Sequence, residues 1–82
     1  MNQNQIVIAL GSNQGNRLQF LEEAVSAIHN KIATVVQTSK MYETPALGFE
    51  GDAFLNAVVL VHTTKSAAKV LKQLLKLEKE LG

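Results

Sequence analysis

The sequence contains no cysteine, and only 18% of its 82 residues are charged. The absence of cysteine excludes disulfides, thiolate metal sites and cysteine nucleophiles, and it fits a reducing cytoplasm. Two histidines remain as nitrogen ligands, and we expect both, His29 and His62, to be surface residues without a metal. The low charged fraction indicates that part of the surface is apolar and meant to be covered.

Long apolar runs are also missing. The longest, Ile6 to Leu10, is too short to span a bilayer, and the N-terminus lacks the basic-then-apolar order of a signal peptide. We therefore expect a cytoplasmic protein with no membrane partner. The chain length allows one small domain over residues 1–82. A net charge of +1 does not indicate nucleic-acid binding, and the lysines after His62 are either a solvated helix face or a weak attraction for an anion.

Strand and helix patterns alternate along the chain. Gln5 to Leu10 is a continuous, partly β-branched run that predicts a central strand buried on both faces. Asn16, with Gln19 three residues later, predicts a helix N-cap with a reciprocal partner. A second strand is expected within 32–42, ended by Pro45, a third over 54–61, and a second helix after Ser66.

Apolar residues spaced by three and four positions give each helix one buried face. In the first helix these are Leu18, Leu21, Val25, Ile28 and Ile32, and in the second Ala67, Val70, Leu71, Leu74, Leu77 and Leu81. The order β-α-β-β-α predicts an α+β fold of the ferredoxin-like split βαβ type, with both helices on one face of the sheet.

The usual closing strand of that fold is absent, since the sequence stops at Gly82 directly after the second helix. We therefore expect the chain to be truncated before the remaining strands. A free sheet edge and an uncovered face would favour strand pairing or swapping between copies.

Alternation along the third strand places Phe54 and Asn56 on one face and Leu55 and Ala57 on the other. A buried amide must find partners, because an unpaired one costs about 1–3 kcal/mol. The partners of Asn56 are either a nearby loop backbone or a ligand. An amide offers both donor and acceptor, which suits a heterocycle with amino and keto groups, and Phe54 could stack on its ring.

Three other segments are candidate binding elements. Thr44 precedes a proline and is therefore held extended, which suits the rim of a pocket. The loop Gly11 to Asn16 leads into a helix N-terminus, so it is either a weak anion site or a plain tight turn. Leu71 and Glu78 project from one side of the second helix, where Glu78 either reaches solvent or accepts a hydrogen bond from a ligand.

Several motifs occur in a specific order without a gap. They are Ala9-Leu10-Gly11-Ser12-Asn13, Gly15-Asn16-Arg17, Tyr42-Glu43-Thr44-Pro45, Leu47-Gly48, Phe54-Leu55-Asn56-Ala57-Val58, Thr63 and Leu77-Glu78-Lys79-Glu80-Leu81-Gly82. Together they resemble the N-terminal half of the 6-hydroxymethyl-7,8-dihydropterin pyrophosphokinases of the folate pathway, over essentially the whole chain. That resemblance implies a ferredoxin-like fold and transfer of pyrophosphate from ATP to the pterin, with release of AMP and magnesium as the metal.

The resemblance also implies roles for individual residues. The positions that match the family's pterin pocket are Thr44, Pro45, Leu47, Gly48, Phe54 and Asn56, and those that match its ATP contacts are Leu71 and Glu78. No catalytic residue and no metal ligand is expected here, because the family's arginine-rich loop and Asp-x-Asp pair would follow Gly82. Arg17 and Asp52 are the only residues of their types. We therefore expect this chain alone to be inactive, with weak pterin affinity at most.

Two other readings of the fold remain open. One is a non-enzymatic ferredoxin-like module that binds a ligand or regulates a partner, for which the pairing of Thr44-Pro45 with Phe54 and Asn56 has no evident purpose. The other is an RNA-recognition domain, which needs aromatic residues on both central strands, whereas the first strand has none.

Overall fold

The computed structural model describes residues 3–46 and 53–81. Within these ranges the elements are β1 (Asn4–Ser12), α1 (Arg17–Lys31), β2 (Thr34–Thr38), β3 (Tyr42–Thr44), β4 (Phe54–Thr63) and α2 (Ala67–Leu81). The strands form one antiparallel sheet in which β1 lies on one side of β4, and β2 and β3 lie on the other. The predicted α+β, ferredoxin-like arrangement is confirmed, with one strand more than predicted.

The centre of the sheet is β4. Its side chains alternate strictly between buried and half-buried positions from Asn56 to Thr63, so the predicted division into two faces is confirmed. The buried set includes Val59 and Val61, which are fully inaccessible to solvent. Asn56 and its even-numbered neighbours lie on the opposite face.

Among the strands that the structure describes, the prediction that β1 is central and buried on both faces is wrong. Among the described residues it pairs with β4 alone, and Val7 is 68% exposed on the face away from the helices. Ile8 packs in the core. The alternate side chains, which make the run continuously apolar, lie on a sheet face that no described element covers. A continuous apolar run therefore did not distinguish the central strand from its neighbour.

The predicted second strand is divided into β2 and β3, which follow one another along the same edge of β4. Relative to β4, the edge formed by β2 and β3 has one extra residue between Val35 and Gln37. It has a second between Thr38 and Tyr42, whose partners on β4 are Val59 and Asn56. At Ser39 a side chain takes part in the pairing with β4, since Oγ accepts a hydrogen bond from the backbone N–H of Val58 at 2.8 Å. The two irregularities account for the extra strand in the observed order β-α-β-β-β-α.

Both helices pack on the face of β4 that carries Val59 and Val61. The main core cluster joins residues from β1, β4 and both helices: Ile8, Ile28, Ile32, Val59, Val61, Val70 and Leu77. The predicted helix stripes are correct at their centres and wrong at their margins. Leu18 is 49% exposed and Leu71 is 57% exposed, because each lies beyond the strip of its helix that the sheet can cover.

Side chains fix both ends of α1. The predicted cap is confirmed, since the Gln19 backbone N–H donates to Asn16 Oδ1 at 3.0 Å. The reciprocal bond is not made, because Gln19 Nε2 donates to Glu23 instead. At the other end, Lys65 Nζ donates to the backbone carbonyl of Ile32, the C-cap of α1. The helix is therefore anchored at the positions where it meets the loops of the sheet.

His29 has a structural contact that its sequence position did not reveal. Its Nδ1 accepts the backbone N–H of Val35 at 3.0 Å and so joins α1 to β2. The side chain is exposed, as expected. No helix among the described residues has the length and apolar character needed to cross a membrane.

Candidate functional site

The side chain of Asn56 lies between β3 and β1 on the face of the sheet away from the helices. Its Nδ2 donates to Thr44 Oγ1 at 2.9 Å and to the backbone carbonyl of Tyr42 at 3.2 Å. Both contacts follow from the register, which pairs Asn56 with Tyr42 and Phe54 with Thr44. The amide is therefore held in one orientation by the strand next to it.

That orientation commits the nitrogen of Asn56 and leaves its oxygen available. Oδ1 accepts no hydrogen bond from a residue in the described ranges, and it points at Gly11, the partner of Asn56 on β1. Because the residue is only half-buried, a ligand on this face can reach the oxygen. Both roles were open to Asn56 from the sequence, and the structure shows an internal donor whose Oδ1 has no partner among the described residues.

Gly11 is a site residue that the sequence analysis missed. A Cβ at this position would lie 3.0 Å from Asn56 Oδ1 and 3.7 Å from Phe54 Cδ1. The first distance is too short for an ordinary contact, so the glycine makes room for the amide. The available signal was a glycine at the end of an apolar run, which was interpreted as the end of the strand and the start of the loop Gly11 to Asn16.

The remaining expected pterin residues are partly described. Phe54 is half-buried beside Gly11, and Thr44 faces it across the β3–β4 pair. Pro45 follows directly and is exposed. Leu47 and Gly48 lie outside the described residues. The structure thus brings together Thr44, Phe54 and Asn56, and Pro45 directly follows Thr44 in the sequence.

The two expected ATP residues line a different feature, a groove of about 300 Å³ between α2, α1 and β1. Leu71 and Glu78 both border it, as their spacing of two turns predicts. Most of the other lining is apolar, including Phe20 and Leu75. Glu78 is the only ionisable residue among the described residues that line this groove, so this lining can bury a flat apolar group but offers no cation for a phosphate.

The part of the chain that the structure describes offers few charged groups that could bind a metal ion or a phosphate. No group of three or more His, Asp or Glu side chains could hold a metal ion. The guanidinium of Arg17 is committed to Glu43, at 3.1 Å, and to the backbone carbonyl of Ala53. The site around Asn56 can therefore orient a neutral ligand through hydrogen bonds and aromatic contact, and the residues present do not fit a magnesium site.

Comparison with known proteins gives this arrangement a context. The family model described as 7,8-dihydro-6-hydroxymethylpterin-pyrophosphokinase matches residues 7–82. The chain belongs to this family. The match includes every residue of the Asn56 cluster and of the groove.

Named relatives support the assignment. The chain is 42% identical over 77 residues to the 2-amino-4-hydroxy-6-hydroxymethyldihydropteridine pyrophosphokinase of Bacillus subtilis, which covers 92% of the chain and 46% of that protein. It is 33% identical over 78 residues to the protein of the same name from Porphyromonas gingivalis, covering 94% of the chain and 53% of that protein. The "Folate synthesis bifunctional protein" of Arabidopsis thaliana is 38% identical over 79 residues, or 95% of the chain and 16% of that protein. The chain spans about half the length of the bacterial relatives it matches.

The contact between Gly11 and Asn56 can be tested with a double-mutant cycle. We expect Gly11→Ala to destabilise the protein, because the new methyl group must displace Asn56 Oδ1. In an Asn56→Ala background the same change should stabilise it by about 0.4–1 kcal/mol, since alanine restricts the unfolded chain more than glycine does. Urea unfolding of the four proteins measures both effects. Equal effects of Gly11→Ala in the two backgrounds would contradict the close approach.

Proposed function

We propose that this chain is the N-terminal, pterin-binding half of an enzyme that transfers pyrophosphate from ATP to 6-hydroxymethyl-7,8-dihydropterin, giving the pterin diphosphate and AMP. The observation that carries the proposal is the Asn56 amide. Its nitrogen is fixed by Thr44 and Tyr42, and its oxygen, beside Phe54, has no partner in residues 3–46 and 53–81. A rigid acceptor next to an aromatic ring suits a flat heterocycle that carries amino and ring N–H donors.

Each candidate residue then has a defined task. Asn56 Oδ1 accepts a hydrogen bond from the polar edge of the pterin, and Phe54 stacks on its ring. Thr44, Pro45, Leu47 and Gly48 form one wall of the pocket. Leu71 and Glu78 contact the adenine-nucleotide end, where the apolar groove accommodates the base.

Phosphoryl transfer needs cations and metal ions that fix the phosphates and stabilise the developing charge. Magnesium would supply that charge, with ligands in sequence beyond this chain. The described residues offer a pterin surface and a groove, and their single guanidinium is already paired. We therefore infer that the chain binds and orients the acceptor substrate without performing the transfer alone.

Pterin binding can be tested by equilibrium dialysis and by NMR titration with 6-hydroxymethylpterin. We expect weak binding that shifts the resonances of Phe54 and Asn56, and Asn56→Leu should reduce the affinity at least about ten-fold because it removes the acceptor. Gln37→Leu makes the same chemical change at an exposed position farther along the sheet and should leave the affinity unchanged. Binding of free amino acids without binding of pterin would instead favour the non-enzymatic module.

The catalytic half of the proposal has a separate test. A coupled assay for AMP release, with ATP, magnesium and the pterin, should give no turnover with this chain alone. Clear turnover would overturn the inference that the transfer chemistry lies in other residues.

Self-association is a further proposal that rests on β1. Among the described residues this strand pairs on one edge only, and from Asn4 to Ser12 it carries neither charge nor proline. Edges of this kind pair readily with a second strand. We expect concentration-dependent dimers by light scattering, which Val7→Lys on β1 disrupts and Val36→Lys on the opposite edge does not. A monomer at all concentrations would contradict the proposal.

A further inference from the structure

Arg17 connects three elements that border the candidate site. It is the first residue of α1, and its guanidinium reaches the ends of two strands. Nη1 donates to the backbone carbonyl of Ala53 at 2.6 Å, and Nη2 donates to Glu43 Oε1 at 3.1 Å. Glu43 lies in β3, and Ala53 directly precedes β4.

The starting point of this side chain is itself fixed. Asn16 caps the helix, since its Oδ1 accepts the backbone N–H of Gln19, and its carbonyl accepts the N–H of Phe20 at 3.0 Å. The Arg17 side chain is 29% exposed, so much of its length is covered. A planar guanidinium with several donors can bind two acceptors at a set separation, which one lysine ammonium cannot reproduce with the same geometry.

One face of β3 contacts Arg17, and the other face contacts the candidate site. Glu43 pairs with Leu55 and lies on the face of the helices, where it meets Arg17. On the opposite face, Tyr42 pairs with Asn56 and Thr44 pairs with Phe54. The backbone carbonyl of Tyr42 and Oγ1 of Thr44 both accept hydrogen bonds from Asn56 Nδ2. The position of β3 therefore determines both the Arg17 contact and the orientation of Asn56.

Such a short strand depends on additional contacts to keep its register. β3 has three residues, and residues 45–53 separate it from β4. Arg17 bonds to β3 and to the residue before β4, and thus ties together the two ends of this connection.

We propose that Arg17 is a positioning residue for the pterin site: by bonding Glu43 and the Ala53 carbonyl together, it sets the register in which Thr44 and Tyr42 orient Asn56. The inference rests on the proposed function. An ion pair whose carboxylate is 60% exposed contributes little to global stability, so we expect the main effect of losing Arg17 to be on the geometry of the site.

The test compares the 82-residue protein with Arg17→Met, Arg17→Lys and a matched control. Arg17→Met keeps the aliphatic stem and removes both hydrogen bonds. We expect it to weaken binding of 6-hydroxymethylpterin at least about ten-fold and to shift the Asn56 side-chain amide resonances, while circular dichroism shows an intact fold. Arg17→Lys should give an intermediate affinity, because one ammonium can replace part of the contact. It also serves as the test variant if Arg17→Met does not fold.

The control is Lys31→Met, which removes the ion pair of Lys31 with Glu80 at the other end of α1. It should leave pterin affinity and the Asn56 resonances unchanged. If the wild-type chain binds the pterin and the Arg17 variants bind it equally well, the positioning role is overturned. If the wild-type chain does not bind, the proposed function fails, and the Asn56 resonances still decide whether Arg17 orients the amide. Unchanged resonances in both variants would then overturn the inference by themselves.

Discussion

The candidate site around Asn56 depends on the pairing of β4 with strands on both of its sides. The helix-facing residues of β4 lie in the core, and the residues between them form the floor of the candidate site. The two faces cannot be changed independently, because a shift of one residue in a strand exchanges them. Burial of Val59 and Val61, which are inaccessible to solvent, therefore also determines where Asn56 lies. Packing energy on one face fixes the position of a polar group on the other.

Periodicity was informative where a helix or strand lies well inside the fold. It identified the helix cap at Asn16, the two faces of β4 and the centres of the helix stripes. These features depend on local geometry, which repeats every two or 3.6 residues. The prediction that Leu71 and Glu78 share one side of α2 succeeded for the same reason, and both line one groove.

The features that sequence could not give depend on long-range pairing. An apolar run does not show whether the neighbouring strand lies on one side or both, so β1 was placed at the centre of the sheet. No local sequence signal at Val36 or Lys40 indicates that the edge formed by β2 and β3 has one residue more than β4 at these places. The role of Gly11 depends on Asn56, which is 45 positions away in sequence and directly opposite in the sheet. Arg17 was noticed as part of a motif, but its acceptors are Glu43 in β3 and the carbonyl of Ala53, directly before β4.

The two extra residues along the edge of β4 have a consequence for how this protein can change length. Each extra residue lies between residues whose partners on β4 form an unbroken series, as Val35 and Gln37 pair with Val61 and Leu60. Removal of the extra residue at either place would leave every other residue opposite its present partner and would make the ladder regular there. Thr34 and Thr44 would stay on the open face, opposite His62 and Phe54. Natural length variation of one residue is therefore expected at these two places without a change in the contacts around Asn56.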